Sequence, residues 1–225
     1  MESSTIKGLL KDIYQRLVDN YGLQLWWPAN GPFEVMVGAI LTQSVAWTNA
    51  EKAIASLKAA KALSPQRIRN ISATELGRII YPCRYYNSKK LKLKALTDWL
   101  GSQYNDNIDA LSSVELGTLR QQLLTVYGIG PETSDTILLY ALNRSTFIVD
   151  TYTRRITYRV GLTPKKNEYD AYQRLYINNL EADVGLFKEY HALLVRLAKD
   201  TCRKKPLCRG CCLNDICYFS MEGFF

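Results

Sequence analysis

The chain has 225 residues, a formal net charge of +8 from 29 Lys and Arg against 21 Asp and Glu, and a hydrophobic fraction of 47%. This composition excludes a disordered or collagen-like polymer and is typical of a globular protein with a sizeable core. Charges interrupt the apolar stretches near the start and no long apolar run occurs, so we expect neither a signal peptide nor a membrane-spanning helix. The expectation is a soluble, intracellular protein whose basic balance favours a polyanionic partner.

The predicted elements are helices. Near the start, Ile6, Leu10, Ile13 and Leu17 recur at spacings of three and four, the period of an amphipathic helix. The same period predicts helices over residues 4–21, 32–45, 47–60, 64–71, 73–80, 87–104, 114–126, 131–143, 151–161, 168–180 and 184–200. Residues 146–149 look extended, but the run is short and isolated, so we expect a loop across the core. The predicted fold class is therefore all-α.

Gly128 and Gly130 flank one apolar residue between two predicted helices. Two glycines in this arrangement allow a tight turn with positive φ, and Pro131 favours the first turn of the next helix. Main-chain amides at that helix start could bind a phosphate without interference from side chains. An ordinary corner between two helices is the alternative interpretation.

Asp150 follows an apolar run and begins the next predicted helix. Aspartate is favoured there as an N-cap, because its oxygen accepts hydrogen bonds from the free amides of the first turn. A catalytic carboxylate is the second interpretation, and the two roles are compatible.

Five of the six cysteines lie within the sixteen residues from Cys202 to Cys217. In a reducing compartment, such a group favours metal binding over disulfides. Cys208 and Cys211 form a Cys-x-x-Cys pair, and five residues separate this pair from Cys202 on one side and from Cys217 on the other. This is not the spacing of a zinc ribbon, but four thiolates could still bind zinc or hold a 4Fe-4S cluster.

In this order, the glycine turn, the Asp150 loop and the cysteine group resemble those of the helix-hairpin-helix DNA glycosylases of the endonuclease III superfamily. The resemblance covers nearly the whole chain and includes residues 33–52, residues 86–90 and the segment from His191 through the cysteines. It implies a protein that binds double-stranded DNA containing a damaged base and rotates the target nucleotide out of the duplex. We expect a monomer that is cytoplasmic or associated with the nucleoid.

The resemblance also implies a fold of two helical lobes. One lobe would be a six-helix barrel over residues 30–144 that contains the helix-hairpin-helix motif. The other lobe would combine residues 1–29 with residues 145–225 and would carry an iron-sulfur cluster loop.

Three residues take specific roles from this resemblance. Asp150 matches the family's catalytic aspartate, which would stabilise positive charge on the sugar as the base leaves. Glu132 occupies the position of the lysine that forms a Schiff base in relatives that also cut the backbone. A carboxylate cannot form an imine, so we expect a monofunctional glycosylase without AP lyase activity. Gln43 matches the residue that fills the space vacated by the base.

Aromatic residues suggest the damaged base. Trp26 and Trp27, which precede Phe33, resemble the aromatic entry of endonuclease III-like 3-methyladenine glycosylases, and a pair of buried tryptophans is the alternative. A cationic base would be attracted to an indole face by roughly 0.5–2 kcal/mol. Lys199 lies where some relatives bring a lysine near the base pocket, or it is a surface lysine. His191, the sole histidine, is expected to be a packed core residue.

These features predict removal of an alkylated purine such as 3-methyladenine. An endonuclease III-type glycosylase for oxidised pyrimidines, or a mismatch glycosylase, is the alternative within the enzyme class. A DNA-binding or lesion-sensing module without catalysis is the alternative of another class.

The cysteine loop is one residue shorter than the family pattern of Cys-x6-Cys followed by x2 and x5 intervals. Preserving the later intervals assigns Cys202, Cys208, Cys211 and Cys217 as ligands of a structural 4Fe-4S cluster, with zinc as the alternative and Cys212 as the spare. Backbone contacts to DNA are expected from the hairpin and from basic residues near the cysteines and Asp150. The residues assigned to DNA binding are Gln43, Gly128, Gly130, Arg154, Lys204, Lys205 and Arg209.

Overall fold

The computed structural model describes residues 3–223. Within this range the regular structure is entirely helical and contains no strand, which confirms the all-α prediction. The helices are α1 (Ser3–Tyr21), α2 (Pro32–Leu41), α3 (Trp47–Ala59), α4 (Pro65–Asn70), α5 (Ala73–Ile79), α6 (Tyr86–Tyr104), α7 (Leu116–Thr125), α8 (Pro131–Thr136), α9 (Thr151–Arg159), α10 (Tyr169–Ile177), α11 (Val184–Asp200) and α12 (Tyr218–Met221). No helix in the described range is long and apolar enough to cross a membrane.

Short elements account for most differences from the predicted helices. The 3₁₀ turns Asp109–Ser113 and Cys208–Gly210, together with α12, have too few turns to produce a periodic pattern. Helix α2 ends at Leu41, four residues earlier than predicted, and the chain then turns at Ser44 with a φ of 58°. Helix α8 continues as a π-helical turn over Ile137–Ala141.

The chain divides into two compact units. One unit comprises the described residues up to Trp26 together with those from Ser145 onward, and the other comprises Trp27–Arg144. The two-lobe organisation expected from the resemblance is confirmed. The proposed domain limits at residues 30 and 144 stay a prediction.

In the Trp27–Arg144 unit, the core is built around α2. Every residue of this helix from Phe33 to Leu41 is buried, which requires partners on all its sides; α3, α6, α8 and the π-helical turn pack against it. Gly38 lets the ring of Trp27 approach closely, since a Cβ at this position would lie 2.9 Å from its Cζ2 atom. Trp27 also contacts Trp47 edge to face, with ring centroids 5.1 Å apart.

The carbonyl of the last residue of α2 accepts a hydrogen bond from a buried lysine. The Lys89 Nζ atom donates to the Leu41 carbonyl at 2.7 Å and contacts the Cys83 sulfur at 3.1 Å, and that thiol donates to the same carbonyl at 3.0 Å. An ammonium at a helix C-terminus is favoured by the helix dipole. Burial lowers the pKa of Lys89, and the contacts with Leu41 and Cys83 explain why a lysine occupies this position.

In the other unit, the extended residues 146–149 cross the core as a loop, as expected, and are almost fully buried. Their main-chain groups bind side chains instead of a neighbouring strand, since buried amides and carbonyls need partners. The Gln173 amide donates to the Phe147 carbonyl at 2.7 Å, and the Tyr169 hydroxyl accepts from the Val149 amide at 3.3 Å. The Phe147 ring stacks on Tyr176 with centroids 4.0 Å apart. These contacts fix the loop that ends at Asp150.

Helices α7 and α8 are joined by a buried ion pair. Arg120 donates to both carboxylate oxygens of Asp135, at 3.0 and 3.1 Å, and the Asp135 side chain is fully buried. Bidentate geometry makes this a strong pair. It therefore holds the two helices that flank the Gly128 turn.

Replacing Arg120 by methionine should lower the free energy of unfolding by about 3–5 kcal/mol, because the buried Asp135 carboxylate loses its guanidinium. Urea unfolding measures this change. Arg78→Met is the matched control, since the Arg78 and Glu75 side chains of that pair are 75% and 43% exposed and such a pair contributes about 1 kcal/mol or less. Equal losses in the two variants would contradict a special role for the Arg120 pair.

Candidate functional site

Asp150 caps α9. Its backbone is extended, with a φ of −86° and a ψ of −177°, and its Oδ1 atom accepts a hydrogen bond from the Thr153 amide at 2.6 Å. The N-cap interpretation of the sequence is therefore correct. The side chain remains 15% exposed, so one carboxylate oxygen is fixed by the helix while the group stays accessible.

His191 is the ionisable neighbour of Asp150. It is 6% exposed on α11, and its Nε2 atom lies 3.8 Å from Asp150 Oδ2. Burial of the Asp150 carboxyl favours the neutral acid, but the imidazole and the Thr153 amide favour the carboxylate more. The net effect is a lowered pKa for Asp150. This carboxylate is therefore ionised at neutral pH and able to stabilise a cation placed beside it.

Trp26 lies over His191. The two rings are nearly parallel, with an interplanar angle of 15° and centroids 6.3 Å apart. The indole is partly exposed, whereas the imidazole is buried. An aromatic surface, an imidazole and an ionised carboxylate thus occur together in one unit. His191 is a core residue, as the sequence indicated, but its position next to Asp150 was not predicted.

The Gly128 turn has the expected sharp bend at one glycine only. Gly128 has a φ of +81°, and a Cβ there would lie 2.3 Å from the Lys92 side chain. Gly130 instead has a φ of −96° with an extended backbone and open space around it, so its conformation does not require glycine. Gly130 is the N-cap of α8 and Pro131 its first residue, which places main-chain amides at this turn as predicted.

Gln43 is bound to the same turn. Its Nε2 atom donates to the Gly128 carbonyl at 3.0 Å and to the Thr133 hydroxyl at 2.9 Å, while its Oε1 atom accepts from Lys92 at 2.5 Å. Lys92 was not predicted from the sequence, because its contact with Gln43 joins residues 49 apart in the chain. Any insertion of Gln43 into DNA would exchange these hydrogen bonds for new ones.

Four of the five clustered cysteines face the same space, and their assignment as metal ligands stays a prediction. Cys202, Cys208, Cys211 and Cys217 line one small cavity, whereas Cys212 does not. Burial raises the pKa of Cys208 and of Cys217, so both favour the protonated thiol at neutral pH. Within residues 3–223, no three or more His, Cys, Asp or Glu side chains are arranged to hold a single metal ion. The four thiols surround a space without meeting at one point.

Arg159 organises the cysteine loop, a role that the sequence did not reveal. Its guanidinium donates to the Cys202 sulfur at 3.2 Å and to the carbonyls of Arg203 at 2.7 Å and Lys204 at 3.1 Å. The Cys217 thiol in turn donates to the Arg159 carbonyl at 3.2 Å. A basic residue in the last turn of α9 was the available signal, but its contacts lie more than forty residues away.

The remaining predicted residues are distributed over both units. Trp27 and Phe33 belong to the unit built around α2, where Phe33 is buried. Glu132 is exposed in the first turn of α8, and Lys199 is exposed near the end of α11. Of the cations predicted to contact DNA, Arg154 lies on α9, and its guanidinium is 5.4 Å from the Tyr172 ring centroid. The other three are exposed residues of the cysteine loop: Lys204, Lys205 and Arg209.

Comparison with known proteins gives one family. A family model described as HhH-GPD superfamily base excision DNA repair protein matches residues 37–180. A Methanocaldococcus jannaschii protein, named provisionally as a DNA repair glycosylase, is 42% identical over 211 residues, which are 93% of this chain and 96% of that protein.

Solved structures show the same fold. H. pylori 3-methyladenine DNA glycosylase (MagIII), bound to 1,N6-ethenoadenine, matches with a TM-score of 0.70 and 25% identity, covering 88% of this chain and 98% of that chain. A non-covalent endonuclease III–DNA complex matches with a TM-score of 0.82 and 18% identity, covering 100% of this chain and 99% of that chain. The second likeness shows the fold alone.

Replacing His191 by leucine is expected to raise the pKa of Asp150, because burial of the carboxyl is then less opposed. Titration of the Asp150 carboxyl carbon by NMR measures this change. A lowered pKa in the folded state gives stability that is complete above the pKa of the unfolded chain and lost as pH falls through the folded value. The contribution of Asp150 to the free energy of unfolding should therefore persist down to a lower pH in the parent than in the variant.

Asp106, whose pKa is lowered by its hydrogen-bonded ion pair with Arg69 in the other unit, serves as the internal control for this titration. Its pKa should be the same in the parent and the variant, because His191 is not among its partners. An Asp150 pKa that is equal in the parent and the variant would show that His191 does not act on this carboxylate.

Proposed function

The chain belongs to the HhH-GPD superfamily of base excision DNA repair proteins, and from this membership we infer that it is a DNA glycosylase for alkylated purines such as 3-methyladenine in double-stranded DNA. The observation that carries the proposal is the partly exposed Asp150 carboxylate 3.8 Å from His191, whose ring lies nearly parallel to that of Trp26. A carboxylate and an aromatic surface are the two groups that this reaction requires.

Asp150 would act on the sugar. When the N-glycosidic bond breaks, its electron pair leaves with the base and positive charge develops on the deoxyribose ring. A fixed carboxylate stabilises that charge without reorganising during the reaction. Water then adds to C1′ and loses a proton, which leaves an abasic site. The Thr153 amide holds Oδ1, so Oδ2, which lies 3.8 Å from the His191 Nε2 atom, is the oxygen that would take this role.

Trp26 would act on the base. In DNA, 3-methyladenine carries a delocalised positive charge, which an indole face attracts beyond ordinary stacking. Such a base leaves as a neutral molecule, so no acid is needed to protonate it. The similarity to MagIII, whose structure contains 1,N6-ethenoadenine, supports a modified purine. The cysteine loop and the relatives named endonuclease III favour an oxidised pyrimidine as the second candidate.

Glu132 supports hydrolysis without strand cleavage. It stands exposed in the first turn of α8, where its negative charge is favoured by the helix dipole. Imine formation needs an amine, which this side chain lacks. Borohydride should therefore fail to trap the protein on DNA.

The cysteine loop would hold a 4Fe-4S cluster. Cys202, Cys208, Cys211 and Cys217 suit it because they surround one cavity, and four thiolates are the usual ligands of such a cluster. When bound, the cluster would tie together the two ends of a basic loop. The Arg159 guanidinium already fixes the backbone of that loop at Arg203 and Lys204.

Backbone contacts to the duplex would come from both units. The exposed Lys204, Lys205 and Arg209 would bind phosphates, and Arg154 would do so from α9. The amides near Gly128 and Gly130, with Gln43 bound to the same turn, would contact the backbone from the other unit. Such contacts position the protein without reading sequence.

Asp150→Asn should lower the single-turnover rate of 3-methyladenine release from methylated duplex DNA by about 100-fold or more, because charge stabilisation is lost. Asparagine still caps a helix well, so the fold should be retained. Asp183→Asn is the matched control, since it makes the same change at the N-cap of α11. Hot alkali should be required to cut the product strand.

The same assay separates the candidate functions. Activity of the parent on a thymine-glycol duplex but not on methylated DNA would reject the alkylated purine in favour of the pyrimidine. An inactive parent that still binds DNA would support a binding module. An Asp150→Asn protein as fast as the parent would reject the catalytic carboxylate.

Purified protein should be brown, absorb broadly near 400 nm and contain about four iron atoms per chain. Cys211→Ser should abolish the colour, whereas the neighbouring Cys212→Ser, outside the cavity, should retain it. Loss of colour in both variants would contradict this ligand assignment. A colourless parent that contains zinc would favour the alternative metal.

A further inference from the structure

The segment that leads from α1 to Trp26 has an unusual backbone. Leu25 has a φ of +48°, a conformation that is uncommon for a residue with a branched side chain. Its side chain is 82% exposed and that of Leu23 is 60% exposed, so burial of these apolar side chains does not hold the segment. The Gln24 side chain donates to the carbonyls of Tyr21 and Gly22, both at 3.1 Å. Polar contacts therefore fix this turn.

A buried carboxylate supplies the main contacts. Glu189, on α11, is 8% exposed, and a carboxylate at such a site needs hydrogen-bond donors. Its Oε1 atom accepts from the Gln24 amide and its Oε2 atom accepts from the Leu25 amide at 3.1 Å. We call this pair of contacts the Glu189 bridge. Each oxygen binds one amide, and the two amides directly precede Trp26.

The Glu189 bridge accounts for the position of the indole. A strained backbone persists only where its surroundings determine it, and here the determining groups are the two carboxylate oxygens. The next residue along the chain, Trp26, then lies parallel to His191, which is two residues after Glu189 on the same helix. His191 in turn lies 3.8 Å from Asp150. One helix thus sets His191 next to the Asp150 carboxylate and Trp26 next to His191.

We propose that Glu189 is a positioning residue for base recognition, which holds Trp26 against His191 by binding the amides of Gln24 and Leu25. The proposal rests on the proposed glycosylase function. Its effect is to order the Trp26 segment before substrate arrives, so that binding does not bear the entropic cost. Glu189 touches neither the sugar nor the base, and it acts through Trp26 alone.

Glu189→Gln tests this role with almost no change in size. The amide side chain keeps one acceptor oxygen and places an NH₂ group where the second oxygen was, so one main-chain amide loses its partner. Single-turnover release of 3-methyladenine from methylated DNA separates binding from chemistry. The half-saturating enzyme concentration should rise about tenfold, as for loss of one charge-assisted hydrogen bond, while the maximal rate should stay within about twofold.

Two comparisons make the test specific. Glu181→Gln removes the same charge from an exposed side chain that is ion-paired with Lys11, and it should leave both constants unchanged. In a Trp26→Ala background, Glu189→Gln should have little further effect, because the residue through which it acts is absent. Additive losses in the double variant, or a fall in maximal rate with unchanged half-saturation, would overturn the proposal.

Hydrogen exchange provides a readout that is independent of activity. The amides of Gln24 and Leu25 should exchange faster in Glu189→Gln, and that of Thr153 should not change. Unchanged exchange at Gln24 and Leu25 would overturn the proposal even in an active enzyme. If the parent releases thymine glycol instead of 3-methyladenine, the proposed substrate fails, and the same set of variants on that duplex decides the role of Glu189.

Discussion

A carboxylate held away from bulk water stays ionised only if donors surround it, and this requirement governs the Asp150 site. Helix α9 supplies the Thr153 amide, and α11 supplies the imidazole of His191. The buried loop over residues 146–149 determines where α9 begins. The capping hydrogen bond that stabilises the helix therefore also orients a group able to stabilise a cation, so stability and chemistry share one interaction.

Helix α11 connects the functional parts of its unit. It carries Glu189 and His191, and it ends at Asp200, two positions before Cys202. Arg155 of α9 donates to the carbonyls of Ala198 and Cys202, which fastens the end of this helix to α9. Helix α11 thus binds the segment before Trp26, lies beside Asp150 and leads into the cysteine loop. The cysteine loop and the Asp150 carboxylate therefore have a common structural support.

The sequence predicted what is local and missed what is distant. The long helices followed from apolar periodicity, and the Asp150 cap followed from a preference that acts within one turn. The cysteine spacing assigned four metal ligands, which stay a prediction, and the same four thiols line one cavity. The contacts of Arg159 and Glu189 were not predictable, since Glu189 and Leu25 are 164 positions apart. At Gly130 the sequence pattern predicted too much. The two glycines suggested a turn with positive φ at both, but the backbone of Gly130 is ordinary extended chain.

The unit that contains Asp150 is discontinuous in sequence, and this affects how the protein is made. The Tyr190 hydroxyl donates to the carbonyl of Leu10, 180 positions away in the chain, and α1 packs against α11. On the ribosome, α1 emerges with its apolar face uncovered, and it can pack against α11 only after almost the whole chain has been translated. Closing so large a loop is slow. Newly synthesised chains are therefore exposed to chaperones and proteases at α1 for longer than at any contiguous pair of helices.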